Sequence, residues 1–219
     1  MHTHFSGTHF DAYLFDLDGT LIDSEMLWVE VIALALERRD VPDAMTLAQG
    51  LVYGRAWPDI WEDIRSLHPD AYPSRKAIEE VTVPEFKRLH DARDIRIQPS
   101  IDLLLKLART TPVAIVSGST NERIAESIEY AHIEEAVRAY VGCDDYERGK
   151  PDPEGYLRGA ALLGAEPETC LVFEDSTAGV LAAKAAGMSC VALQHKHGPV
   201  QNFDQADLVL DSLADFAVE

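Results

Sequence analysis

The chain has 219 residues, 47% of them hydrophobic and 26% charged, enough for one large α/β domain or a core carrying a smaller insertion, and too apolar for long disorder. A formal net charge of −19 excludes the basic footprint that nucleic-acid binding requires, although a bound cation and a few local basic residues still permit a small anionic substrate. No run approaches the roughly 20 apolar residues that span a bilayer, and the polar, His-rich start lacks the pattern of a signal peptide.

Along the chain, the first signal is Tyr13-Leu14-Phe15-Asp16-Leu17-Asp18-Gly19-Thr20, an apolar run that stops at two carboxylates spaced two apart. In an extended segment side chains at i and i+2 point the same way, so Asp16 and Asp18 converge just past a strand end. From residue 23 to 97 no strand pattern appears. Helical stretches are expected at Glu25–Arg38, Ala56–Ser66 and Ser74–Arg93, punctuated by Pro42, Pro58 and Pro69. Apolar runs at Ala12–Phe15, Val113–Val116, Ala139–Gly142, Leu171–Phe173, Ser189–Leu193 and Leu208–Leu210 suit buried parallel strands. Helical repeats separate the later ones, at Ile101–Ala108, Glu122–Tyr130, Pro153–Leu163 and Ser176–Ala186, the last two closed by Gly164 and Gly187.

This alternation predicts an α/β fold with a mainly parallel, Rossmann-like three-layer core and an inserted all-helical block. The expected division is 1–22 with 98–219 for the core and 23–97 for the insertion. Cys143, Cys170 and Cys190 are too few and scattered for a disulfide framework, and are read as buried thiols of a reducing, cytoplasmic compartment. A monomer with no nucleic-acid or membrane partner is expected.

Ligands of open α/β sheets bind at the carboxyl ends of the strands, and four polar segments fall at or near such ends. They are Asp16–Thr20, Ser117-Gly118-Ser119-Thr120-Asn121, Gly149-Lys150-Pro151-Asp152-Pro153 and Glu174-Asp175-Ser176. Together they describe phosphoryl transfer. Asp16 and Asp175, with Glu174 nearby, offer the hard oxygens that Mg²⁺ prefers. Lys150, Ser117 and the N–H groups around Gly118 would hold phosphate oxygens. Asp16 would attack phosphorus, and Asp18 would exchange the proton with the leaving oxygen and then with water.

The order Asp16-x-Asp18-Gly-Thr, Ser117-Gly-Ser, Lys150-Pro and Glu174-Asp175 resembles the haloacid dehalogenase superfamily, and within it the β-phosphoglucomutase-like phosphatases. Asp23-Ser24-Glu25, Gly149–Pro153 and Glu174-Asp175-Ser176-x-x-Gly179-Val180-x-Ala182-Ala183-x-Ala185-Ala186-Gly187-Met188 are similar to that branch. The resemblance spans residues 11–22 and 98–215 and is faint over the insertion. It implies a phosphoric monoester hydrolase for a small phosphorylated metabolite, such as a sugar or polyol phosphate, with Mg²⁺ dependence and a mobile helical cap. It also implies that the Asp18 backbone carbonyl binds the metal.

Dehalogenase members lack the second aspartate that is Asp18 here. Mutase members carry a histidine at the position of Trp28, so hydrolysis is favoured over isomerisation of a sugar phosphate. A catalytically idle binding module is the rival from another class. Arg55, between two cap helices, with Ser119 and Asn121, would read the substrate beyond its phosphate. Trp28, Trp57 and Trp61 serve either as cap core or as the floor of a sugar pocket. His195 and His197 are read as belonging to a solvated loop.

Overall fold

The six apolar runs become the six strands of one sheet in the computed structural model, which describes Phe5 and residues 8–52, 57–195 and 200–217. The strands are β1 (Ala12–Phe15), β2 (Val113–Val116), β3 (Val137–Val141), β4 (Cys170–Glu174), β5 (Ser189–Leu193) and β6 (Leu208–Leu210), in spatial order β3-β2-β1-β4-β5-β6. Every pairing is parallel. Phe15 sits opposite Ile115 on one side and Phe173 on the other, which brings the carboxyl ends of β1, β2 and β4 level. The polar residues that follow those strands therefore meet at one edge.

The central strands are buried on both faces, which is why they read as continuous apolar runs rather than alternating ones. On one face Leu14, Val116 and Val172 pack with Tyr156, Ala160, Val180 and Ala183. Those partners come from α7 (Glu154–Leu163) and α8 (Thr177–Ala185). On the other face Phe15 stacks on Phe173 at 4.5 Å, and Phe173 meets Phe216 edge-on at 5.1 Å. Each such fully buried aromatic contributes roughly 1.5–3 kcal/mol. Two further helices, α5 (Gln98–Leu107) and α6 (Asn121–Ala131), complete the crossovers.

Between β1 and α5 lies an all-helical segment: α1 (Ser24–Glu37), α2 (Ala44–Val52), α3 (Trp57–Leu67) and α4 (Arg75–Ala92). It has its own core, in which Ile32, Leu36, Ala48, Ile64, Tyr72 and Ile78 are buried together. The Tyr72 hydroxyl donates to the Ala35 carbonyl at 2.7 Å, and Ser74 caps α4 by accepting from the Ala77 N–H. Among the described residues the chain divides into two compact units, one running to Ile22 and resuming at Arg96, the other spanning Asp23–Ile95. Ile22 and Arg96 form an antiparallel bridge, and the Ile97 N–H donates to Leu21 O at 2.9 Å. In the helical unit the Asp23 N–H donates to Ile95 O at 2.8 Å.

Three expectations change. Helix α2 stands where no helix is predicted. Strand β3 begins at Val137, because it is an edge strand whose exposure alternates, and Arg138 and Tyr140 face outward. Cys143 is exposed; Cys170 and Cys190 are buried, and burial pushes the Cys170 thiol up to about 11. No helix among the described residues is long and apolar enough to cross a membrane.

Candidate active site

The Asp16 N–H extends the β1 ladder by donating to Phe173 O at 2.9 Å, and this places the Asp16 side chain at the sheet edge. The chain then turns sharply, with the Gly19 N–H on Ile22 O at 2.7 Å and the Leu21 N–H on Leu17 O at 2.9 Å. Gly19 has φ +86°, a left-handed conformation that glycine adopts without strain, and a Cβ there would overlap the Asp175 carboxylate. Gly179 plays the matching part for Glu174, whose carboxylate occupies the space that a Cβ at 179 would fill.

Asp16, Glu174 and Asp175 are all buried, and one oxygen from each lies within 4.8 Å of the others. Lys150 sits among them. Its ammonium donates to Asp16 Oδ1, to Glu174 Oε1 at 2.6 Å and to Val116 O at 3.2 Å, and lies 5.0 Å over the Tyr156 ring. Glu174 is engaged on both oxygens. Oε1 accepts from Lys150 and from the Tyr156 hydroxyl at 2.8 Å. Oε2 accepts from the N–H groups of Asp175 and Ser176 and from the Ser176 hydroxyl, at 2.9, 2.9 and 3.0 Å. Sequence reasoning missed Tyr156, since nothing in the local pattern of α7 distinguishes it from a core aromatic.

The charges explain the titration of the cluster. Burial holds the Asp16 carboxyl well above the usual range; Lys150 opposes this, while Glu174, Asp175 and Asp18 add to it. Burial also raises Glu174, but Lys150 and the hydrogen bonds outweigh it and leave its carboxyl lowered. Burial works to lower Lys150, and Asp16 and Glu174 overcome it, holding the ammonium well above its ordinary value. Among the described residues three buried carboxyl groups face one ammonium, and their hard oxygens gather at one point. That donor set fits a divalent cation such as Mg²⁺.

Asp18 lies beside this cluster, where its Oδ2 accepts from the Ser117 hydroxyl at 3.0 Å and the Ser119 hydroxyl at 2.8 Å. Ser117 Oγ accepts in turn from the Ser119 N–H at 2.9 Å, and the Tyr146 hydroxyl holds Ser117 O at 3.0 Å. Gly118 is exposed on this loop. Asn121 starts α6 and uses its side-chain oxygen on the Gly142 N–H at 2.9 Å. Thus Asp16, Asp18, Ser117, Ser119, Lys150, Glu174 and Asp175 come together from four separate segments. Arg55 lies outside the described residues, as does the side chain of Trp57. Trp61 is buried in the helical unit's core, and Trp28 stacks on Phe86 at 4.2 Å. His195 is not free in solvent: its Nε2 lies 2.6 Å from Gly19 O and 3.4 Å from Asp175 Oδ2.

Comparison with known proteins gives the family of the chain. The family model of haloacid dehalogenase-like hydrolases matches residues 10–187. The validoxylamine A 7′-phosphate phosphatase of Streptomyces hygroscopicus subsp. limoneus is 31% identical over 205 residues, covering 92% of this chain and 93% of that protein. Hexitol phosphatase A of Escherichia coli is 32% identical over 214 residues, covering 94% and 93%. Among solved structures, CbbY from Rhodobacter sphaeroides in complex with phosphate superposes with a TM-score of 0.77 at 22% identity, over 94% of this chain and 96% of that one; this likeness concerns the fold.

Proposed function

Because the chain belongs to the haloacid dehalogenase-like hydrolases and is a phosphoric monoester hydrolase, we propose that it dephosphorylates a sugar or polyol phosphate, with bound Mg²⁺, through an aspartyl-phosphate on Asp16. The observation that carries the proposal is the buried trio Asp16, Glu174 and Asp175 set around Lys150. Asp16, Asp175 and the Asp18 carbonyl, with Glu174 alongside, would hold the cation, which would offset the repulsion between nucleophile and phosphate.

The remaining chemistry belongs to the chain. Asp16 attacks phosphorus; the ester bond breaks, and Asp18 gives its proton to the departing oxygen. Asp18 then takes a proton from water, whose oxygen attacks phosphorus and breaks the Asp16–phosphate bond. Ser117, Gly118 N–H and Lys150 hold the phosphate oxygens through both steps. The Ser117 hydroxyl rests on Asp18, so a phosphate that takes up this hydroxyl removes one of the donors that Asp18 accepts from. Substrate binding would thereby loosen the residue that must move its proton.

We read the helical unit as a cap in which Arg55, with Ser119 and Asn121, contacts the substrate beyond its phosphate. Trp28 is an indole held against Phe86 and offers none of the acid–base function a mutase histidine supplies, which supports hydrolysis over isomerisation. The protein is read as a cytoplasmic monomer. The test is release of inorganic phosphate from a panel of sugar, polyol and nucleoside phosphates with Mg²⁺ present. Hydrolysis of sugar or polyol phosphates is expected, and interconversion of hexose phosphates without free phosphate would refute it.

A further inference from the structure

Strands β1, β4 and β5 are neighbours in the sheet, so the loops leaving their carboxyl ends lie side by side. The loop after β1 contributes Gly19, the end of β4 contributes Asp175, and the segment after β5 contributes His195. The His195 Nε2 lies 2.6 Å from the Gly19 carbonyl oxygen and 3.4 Å from Asp175 Oδ2. A carbonyl is an acceptor only, so a ring proton resides on Nε2, where it also faces Asp175 Oδ2. The other oxygen, Asp175 Oδ1, accepts from the Thr20 hydroxyl at a longer 3.4 Å. Gly19 lacks a side chain at the point where that carboxylate passes, which lets the Asp175 carboxylate lie close against the turn.

We propose that His195 is a positioning residue for the cation site, its Nε2–H tying the Gly19 carbonyl to the Asp175 carboxylate and fixing the orientation in which Asp175 presents an oxygen to the metal. This rests on the reading of Asp175 as a cation ligand. Carboxylates that bind metals depend on such hydrogen-bonding partners, and losing one typically weakens metal binding by about 10–100-fold. His195 touches no substrate in this role. Its effect passes through Asp175 and through the turn that carries Asp18.

The test is calorimetric titration of Mg²⁺ into the metal-stripped full chain, for wild type, His195→Ala, His195→Gln and His195→Leu. His195→Ala should raise the Mg²⁺ Kd about 10–100-fold. His195→Gln, whose amide N–H reaches toward the same oxygens, should recover most of that loss. In turnover assays the Mg²⁺ concentration for half-maximal rate should rise, while kcat at saturating Mg²⁺ stays near wild type. Should His195→Ala fail to fold, His195→Gln must still bind Mg²⁺ more tightly than His195→Leu. Equal Mg²⁺ affinity across the variants, or a fall in kcat with affinity unchanged, overturns the assignment. A wild-type chain that binds no Mg²⁺ overturns the metal reading itself, and this proposal with it, before any variant is compared.

Discussion

Replacing Lys150 by Met keeps the length of the side chain and removes the ammonium that, among the described residues, faces Asp16 and Glu174. Stripping one partner from a buried ion pair costs about 3–5 kcal/mol, because the remaining charge is left uncompensated. Glu174 retains the Tyr156 hydroxyl, the Ser176 hydroxyl and two backbone N–H groups, so the cost should concentrate on Asp16. Urea denaturation of the metal-free protein at about pH 7.5 should show a loss of about 3–5 kcal/mol. Far-UV circular dichroism is the suitable signal, since Trp28, Trp57 and Trp61 all fall in the inserted segment and their fluorescence would miss the sheet.

The pH dependence has a definite sign. Lys150 has a raised folded pKa, so its own contribution is fully present below its unfolded value near 10.5 and does not vary from about pH 5 to 7.5. Asp16 also has a raised folded pKa; the folded state binds that proton more tightly than the unfolded one, and acidification favours it. Without Lys150 the opposing pull on Asp16 disappears and its carboxyl rises further, so the gap between variant and wild type should narrow as pH falls. A cost below about 1 kcal/mol at neutral pH, the value of an exposed pair, would refute the reasoning. So would a gap that widens on acidification.

Asp16→Asn should abolish phosphate release while leaving the metal-free protein at least as resistant to urea at neutral pH, because a neutral amide replaces a carboxylate that burial disfavours. Asp18→Asn should slow turnover by about 10²–10⁴-fold. Rapid-quench measurements should then show the phosphorylated enzyme accumulating.

The parallel sheet was legible because β1, β2, β4 and β5 lie under helices and must be apolar throughout. Strand β3 was only half legible, since at an edge its outward positions are free to hold Arg138 and Tyr140. Helix α2 escaped because its buried residues include the small Ala44 and Ala48, and Gly50 lies within it. Asp16, Asp18 and Asp175 could be read because each follows a strand closely and carries a charge that a structural role seldom needs there, and Lys150 because it stands in the Gly149–Pro153 segment just before α7. The parts played by Tyr156 and His195 could not. Each acts through a partner distant in sequence, Tyr156 through Glu174 and His195 through Gly19, and no local periodicity encodes such a pairing.

The bridge between Ile22 and Arg96 has a consequence for how such a protein can diversify. Because the chain departs and re-enters at adjoining backbone positions, whatever is spliced between them needs only two neighbouring ends. A segment of different length or helix count could be grafted at this doorway without shifting the register of any strand. If the helical unit reads the substrate as proposed, that share of substrate preference can be rewritten in one exchangeable cassette while the chemical machinery stays untouched.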